Sequence, residues 1–92
     1  MICGFRDKQT AQFSAGKHIK AFTGFERAAR LKLDRLEAAI SLADLSALPG
    51  NRFEALKGDR SGQYSIRIND QWRVVFRWTD AGPEDVEIID YH

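Results

Sequence analysis

The chain predicts an α+β domain in which two N-terminal helices pack on one face of a small, mostly antiparallel sheet. Three observations carry that prediction. Two runs of alternating side chains hinge at Asn69, Asp70 and Gln71, an apolar stripe at helical spacing runs from Phe25 to Ile40, and short turn-rich links join the elements that follow. The 92 residues make a single domain, 1–92, large enough for one small core and too small for two.

The hairpin of 64–78 organises the rest. Strand side chains alternate, so Tyr64, Ile66 and Ile68 share one face with Trp72, Val74, Phe76 and Trp78, while Ser65, Arg67, Arg73, Val75 and Arg77 occupy the other. A three-residue loop sets Ile68 opposite Trp72 and therefore Arg67 opposite Arg73. Like charges directly opposite cost up to about 1 kcal/mol, which invites a carboxylate or an external anion between them. Two arginines on a solvated face can equally splay into water. The apolar side is expected to meet the helices, and the arginine side to stay open.

In chain order, 1–6 reads as a short apolar strand and 7–15 as a helix with Ala11 and Phe13 turned inward and Gly16 ending it. His18, between Lys17 and Lys20, reads as solvated. Thr23-Gly-Phe-Glu26 fits a capping box that starts the main helix. From there Phe25, Ala29, Leu33, Leu36 and Ile40 form the core stripe, and Glu26 is placed to pair with Arg30 at i, i+4. Pro49-Gly50 stops the helical continuation. A weak strand at 51–56, a turn-rich connection at 57–62, a turn at 79–83 and a last strand at 86–92 complete the order.

Net charge is only +1, but it is unevenly spread. Residues 1–50 carry eight basic and five acidic side chains, 51–78 six and three, and 79–92 none and five. The acidic end masks a basic middle that a polyanion would meet. The lone Cys3 cannot form an internal disulfide and reads as a small buried hydrophobe. One cysteine and two distant histidines suggest no metal site. No apolar run approaches a membrane span and no secretory signal opens the chain, so a cytoplasmic location is expected.

Asp90, Tyr91 and His92 concentrate titratable and stacking groups. A histidine beside carboxylates is pushed toward its protonated form, which suits a general acid.

The motif Ser-Ile-Arg-Ile-Asn-x-Gln-Trp-Arg at 65–73, within the run 55–78, and the terminal Asp90-Tyr91-His92 closely resemble the HigB group of the RelE/ParE toxin superfamily. The likeness extends along nearly the whole chain, including the Pro49-Gly50-Asn51-Arg52 link. It implies a RelE-like microbial ribonuclease fold and a type II toxin that cuts mRNA in the ribosomal decoding site. It also implies neutralisation by a helix-turn-helix antitoxin, with operator DNA contacted only through that antitoxin. The implied chemistry needs no metal or cofactor: the ribose 2′-hydroxyl attacks its own phosphate, one group removes its proton, another protonates the leaving oxygen, and cations offset the growing charge. On matched positions, Asp90 and His92 take proton transfer, Arg73 the transition-state phosphate, Lys57 phosphate positioning and Tyr91 base stacking. Arg60, Arg67 and Arg77 extend the cationic surface for RNA.

One departure stands out. Glu54 occupies the place of a family histidine ahead of Leu56-Lys57-Gly58, and a carboxylate serves as base but not as acid at neutral pH unless burial raises its pKa. A weaker or differently divided acid/base pair is therefore expected. The mechanism also asks that Asp90 and His92 lie on the Arg73 side of the sheet. Two alternatives compete: a gyrase-binding growth inhibitor that cuts nothing, for which the terminal acid/base set is dispensable, and a non-catalytic module for structured RNA, whose binding would fall with salt yet survive loss of His92.

Overall fold

In the computed structural model, which describes residues 1–90, four antiparallel strands lie in the order β1-β2-β3-β4. They are β1 (Glu54–Ala55), β2 (Gln63–Arg67), β3 (Trp72–Thr79) and β4 (Gly82–Asp90). Ahead of them come α1 (Lys8–Ser14), a 3-10 segment (Lys20–Phe25), α2 (Glu26–Ala38) and α3 (Leu42–Ser46). A 3-10 turn, Pro49–Asn51, leads into the sheet, and another, Gly58–Arg60, bridges β1 and β2.

The hairpin has the expected register, with Tyr64 opposite Phe76, Ile66 opposite Val74 and Arg67 opposite Arg73. Its apolar face holds the core, in which Phe13, Phe22, Leu36, Ile66, Val74, Phe76 and Val86 are essentially inaccessible. Aromatic rings tie the layers together. Phe22 meets Phe13 edge-on with centroids 5.2 Å apart and Trp72 at 5.9 Å, and Phe25 packs on Trp72 at 4.9 Å. Such pairs add to the area they bury because the electropositive ring edge meets the electronegative ring face.

Several local expectations give way to tertiary partners. The segment 1–6 forms no strand. It runs along β4 with a single parallel bridge, Phe5 to Val86, where it accepts from the Val86 amide and donates to the Pro83 and Val86 carbonyls. Thr10, buried on α1, accepts from the Ile88 amide at 3.0 Å, so the outer edge of β4 is covered rather than left as a template for pairing. Cys3 is exposed, not buried.

No capping box forms at Thr23. Its hydroxyl donates back to the Lys20 carbonyl at 2.8 Å inside the 3-10 turn, and α2 begins one turn later at Glu26 without a side-chain cap. The capping box is instead at Ser41 and Asp44, opening α3. Ala39 turns the chain to extended backbone, which leaves Ile40 88% exposed and ends the core stripe at Leu36. Glu26 pairs with His18 at 2.7 Å, while Arg30 donates to the Phe13 carbonyl at 2.9 Å and lies over that ring. His18 is thus partnered, because the 3-10 segment folds its loop back onto the start of α2.

The arginine side of the sheet is covered at its centre, contrary to expectation. Ser65 and Val75 are fully buried and Arg73 is 8% exposed. Arg60 reaches over Val75 to Glu87, its cross-strand partner, at 3.0 Å and also bonds Gln63 at 3.2 Å. At the β3–β4 turn Gly82 has φ +126°, and a side chain there would run into the Met1 carbonyl.

Replacing Phe22 by alanine is expected to cost about 3–5 kcal/mol, because three aromatic neighbours cannot close the space it leaves. Urea unfolding of the variant against the parent chain measures this.

Candidate nucleic-acid interface and active site

The candidate site lies at the β2–β3 turn end of the sheet. Arg67 and Arg73 face each other across β2 and β3, and Asn69 and Asp70 form the turn between them. Arg52 enters from the 3-10 turn ahead of β1. These five residues line a cleft of about 270 Å³.

Arg73 is held, not splayed. Its Nε donates to the Ser65 hydroxyl at 2.8 Å and its Nη2 to the Arg52 carbonyl at 2.5 Å, with Glu54 Oε1 at 3.6 Å. Register explains the grouping. Glu54 pairs across to Ser65, which stands one pleat along from Arg67 on the same face, so carboxylate, hydroxyl and guanidinium meet side by side. The like-charge pair is also relieved locally, because Arg67 bonds Asp70 in the turn.

Behind the cleft stands a residue with no place among the sequence candidates. Lys32, on α2, is 6% exposed and donates to Asn51 Oδ1 at 2.8 Å and the Gly50 carbonyl at 3.1 Å. Burial first, then repulsion from Arg35 and Arg67, lower its pKa from the usual lysine value. Asn51, fully buried, also donates to the Leu45 carbonyl at 3.0 Å and so joins α2, α3 and the turn. The signal for Lys32 was its place beside the core stripe: it lies three residues after Ala29 and four before Leu36. Arg52 gave only the cue of following Pro-Gly-Asn; its φ of 43° and ψ of 53° are left-handed, uncommon outside glycine.

The other sequence candidates divide. Lys57 is exposed at the start of the 58–60 turn, outside the cleft lining. Arg60 is committed to Glu87 and Arg77 to Asp85 at 3.5 Å, so both sit away from the cleft in ion pairs of the sheet. Asp90 is exposed and accepts from the Gln71 side chain at 2.8 Å, which brings its carboxylate to the tip of the same turn. Its register partner is Trp72, however, and Ile89 is the residue opposite Arg73. A bulge near Asp85, whose φ is 53°, shifts the register below Val75, but alternation is regular from Val86 onward. Asp90 therefore has the parity of the helix-packed side, not of the Arg73 side that the expected mechanism asks for. It can approach the cleft only around the end of the sheet. Tyr91 and His92 lie outside the described residues.

The fold is that of the small RelE-type toxins. It superposes on a chain of the YoeB-YefM complex from Staphylococcus aureus with a TM-score of 0.63 at 22% identity, covering 100% of this chain and 95% of that one. The chain belongs to the HigB family, the RelE-like toxins of type II toxin-antitoxin systems, whose family model matches residues 3–92. It is 42% identical over 83 residues to Toxin HigB-1 of Vibrio cholerae serotype O1, covering 88% of this chain and 87% of the relative. It is also 31% identical over 61 residues to Endoribonuclease HigB of Proteus vulgaris, covering 64% of this chain and 66% of that protein.

Two outcomes are expected from this geometry. Ser65→Ala takes away the acceptor of a buried charged donor and should lower stability by roughly 1–3 kcal/mol in urea unfolding. Because the folded state lowers the Lys32 pKa, the unfolded chain binds more protons between that lowered value and the usual one. The Lys32 contribution to stability therefore rises with pH across that window and is lost as pH falls through the folded pKa. Unfolding curves taken at rising pH up to the usual lysine value of 10.5 should show this increment in the parent chain and not in Lys32→Met.

Proposed function

We propose that this chain is a ribosome-dependent endoribonuclease that cuts mRNA and arrests growth until a helix-turn-helix antitoxin neutralises it. The observation that carries the reading is Arg73: a buried guanidinium lining the cleft, held by the Ser65 hydroxyl and the Arg52 carbonyl, with a carboxylate 3.6 Å away. The name of the Proteus vulgaris relative, an endoribonuclease, supports the same reading.

In the proposed reaction the RNA backbone enters along Arg67 and Lys57, and the scissile phosphate meets Arg73. Arg73 stabilises the charge that grows on the phosphate as the 2′-hydroxyl attacks, and its preset orientation avoids reorganisation at that moment. Asp90 and His92 handle the protons, Asp90 reaching the cleft around the sheet end beside Gln71, and Tyr91 stacks on a base. Glu54, about half exposed and 3.6 Å from the Arg73 guanidinium, is the carboxylate best placed to accept the 2′-hydroxyl proton. It would then serve as base in place of the family histidine and leave delivery of the proton to the leaving oxygen to Asp90 and His92. Arg60 and Arg77, each held by a carboxylate, contribute to RNA binding only through the general field.

The test is to add the chain to translating ribosomes and map RNA ends. Arg73→Ala should lower cleavage by about 10²–10³-fold, the cost of losing one preorganised transition-state contact. His92→Ala should lower it by about 10²-fold or more. Glu54→Gln should lower the rate more than Asp90→Asn if Glu54 is the base. Intact transcripts together with altered plasmid supercoiling would overturn the nuclease in favour of a gyrase-binding inhibitor.

A further inference from the structure

We propose that Arg52 is a second phosphate-gripping residue of the cleft, and that Lys32 is the positioning residue that sets both Arg52 and Arg73. The proposal rests on the nuclease reading for its biological ligand, an RNA backbone, but its physical content is a two-phosphate grip that can be measured without cleavage.

Three observations carry it. Arg67 pairs with Asp70 and Arg73 approaches Glu54, yet among the described residues no carboxylate pairs with Arg52, the third arginine of the cleft. Its side chain is exposed, so the guanidinium is available to an anion. Secondly, the backbone of Arg52 does a separate job from its side chain, since its carbonyl accepts from Arg73 Nη2 at 2.5 Å. The left-handed φ of 43° directs that carbonyl. Thirdly, the turn that sets this conformation is clamped from beneath by a buried ammonium group. Lys32 bonds the Gly50 carbonyl and Asn51, Arg35 adds a longer contact to Asn51 at 3.4 Å, and Asn51 anchors to Leu45.

Burying a lysine with neutral acceptors only is unfavourable, and among the described residues no carboxylate pairs with Lys32. Its position accounts for the choice. An ammonium can bond two carbonyl-type oxygens of the turn at once, which an apolar side chain cannot, and its charge adds to the potential behind Arg67. Successive phosphates of a single strand stand several ångströms apart. An arginine on each side of the cleft, held by separate elements, suits two of them better than one mobile cation.

Two variants separate the roles. Arg52→Gly removes the guanidinium but keeps the carbonyl, and glycine accepts the left-handed backbone without strain. Lys32→Met keeps the aliphatic stem and removes the clamp. The probe is a fluorescent 2′-O-methyl oligoribonucleotide, which lacks the attacking hydroxyl, titrated by anisotropy across a range of salt with the full chain.

For Arg52→Gly the dissociation constant should rise about tenfold at low salt. The slope of its logarithm against log salt should fall by about 0.7, the loss of one phosphate contact on a single strand. The Arg73 Nε–Hε proton resonance should be unchanged. For Lys32→Met that resonance should shift and exchange faster while the amide spectrum elsewhere stays folded. An unchanged salt slope in Arg52→Gly, or no binding of the probe by the parent chain at low salt, overturns the phosphate role. An unchanged Arg73 resonance in a folded Lys32→Met overturns the positioning role. Probe binding with the predicted slope change but no RNA cleavage on ribosomes leaves the two-phosphate grip standing and sinks the nuclease.

Discussion

A charged guanidinium can sit inside a small protein only if its donors meet acceptors, and the way Arg73 meets this requirement shapes the functional end of the molecule. Ser65 answers Nε and the Arg52 carbonyl answers Nη2. The first comes from the neighbouring strand, where register alone supplies it. The second comes from a turn that must be held in an uncommon conformation. That need connects the sheet to α2 through Lys32 and Asn51, so that the layer which supplies the hydrophobic core also steers the polar site.

The sheet is therefore two-sided in a specific sense. One side is a conventional core, with rings from α1, the 3-10 segment and β3 interlocked and α2 laid over them. The other carries a thin polar cover of side-chain contacts: Arg73 bonds Ser65 and the Arg52 carbonyl, and Arg60 pairs with Glu87, the residue opposite Val75. Among the described residues the end near the β2–β3 turn opens as the cleft, and Arg77 toward the opposite end is exposed as well. Carboxylates hold Arg60 and Arg77 to the sheet, while at the cleft Asp70 meets Arg67, Glu54 approaches Arg73, and among the described residues none pairs with Arg52. A chain of nearly neutral net charge thereby gathers three arginines at one cleft.

Much of this was legible in the residues. Hairpin register followed from period two and loop length, which also placed Arg67 against Arg73. The helical stripe was visible, although its end was not: Ile40 keeps the spacing, but Ala39 leaves the helix and Ser41 caps the next one. Thr23 and Glu26 matched a capping pattern that the 3-10 turn did not use; there Phe22 and Phe25 pack on Trp72, a partner far along the chain. The parity of Asp90 was undetermined, since Ile88 and Ile89 are equally apolar and only pairing with β3 chooses between them.

By itself, then, the sequence determined the elements with local periodicity, the family likeness, and which face of the hairpin would meet the helices, since alternation and helical spacing act over a few residues. Tertiary structure decided which arginines line the cleft, where the cleft opens, and why Lys32 is buried. Those outcomes depend on partners many positions apart, such as Lys32 with Asn51, Arg73 with Arg52 and Arg60 with Glu87. Local propensity carries no information about contacts that exist only once the layers have packed.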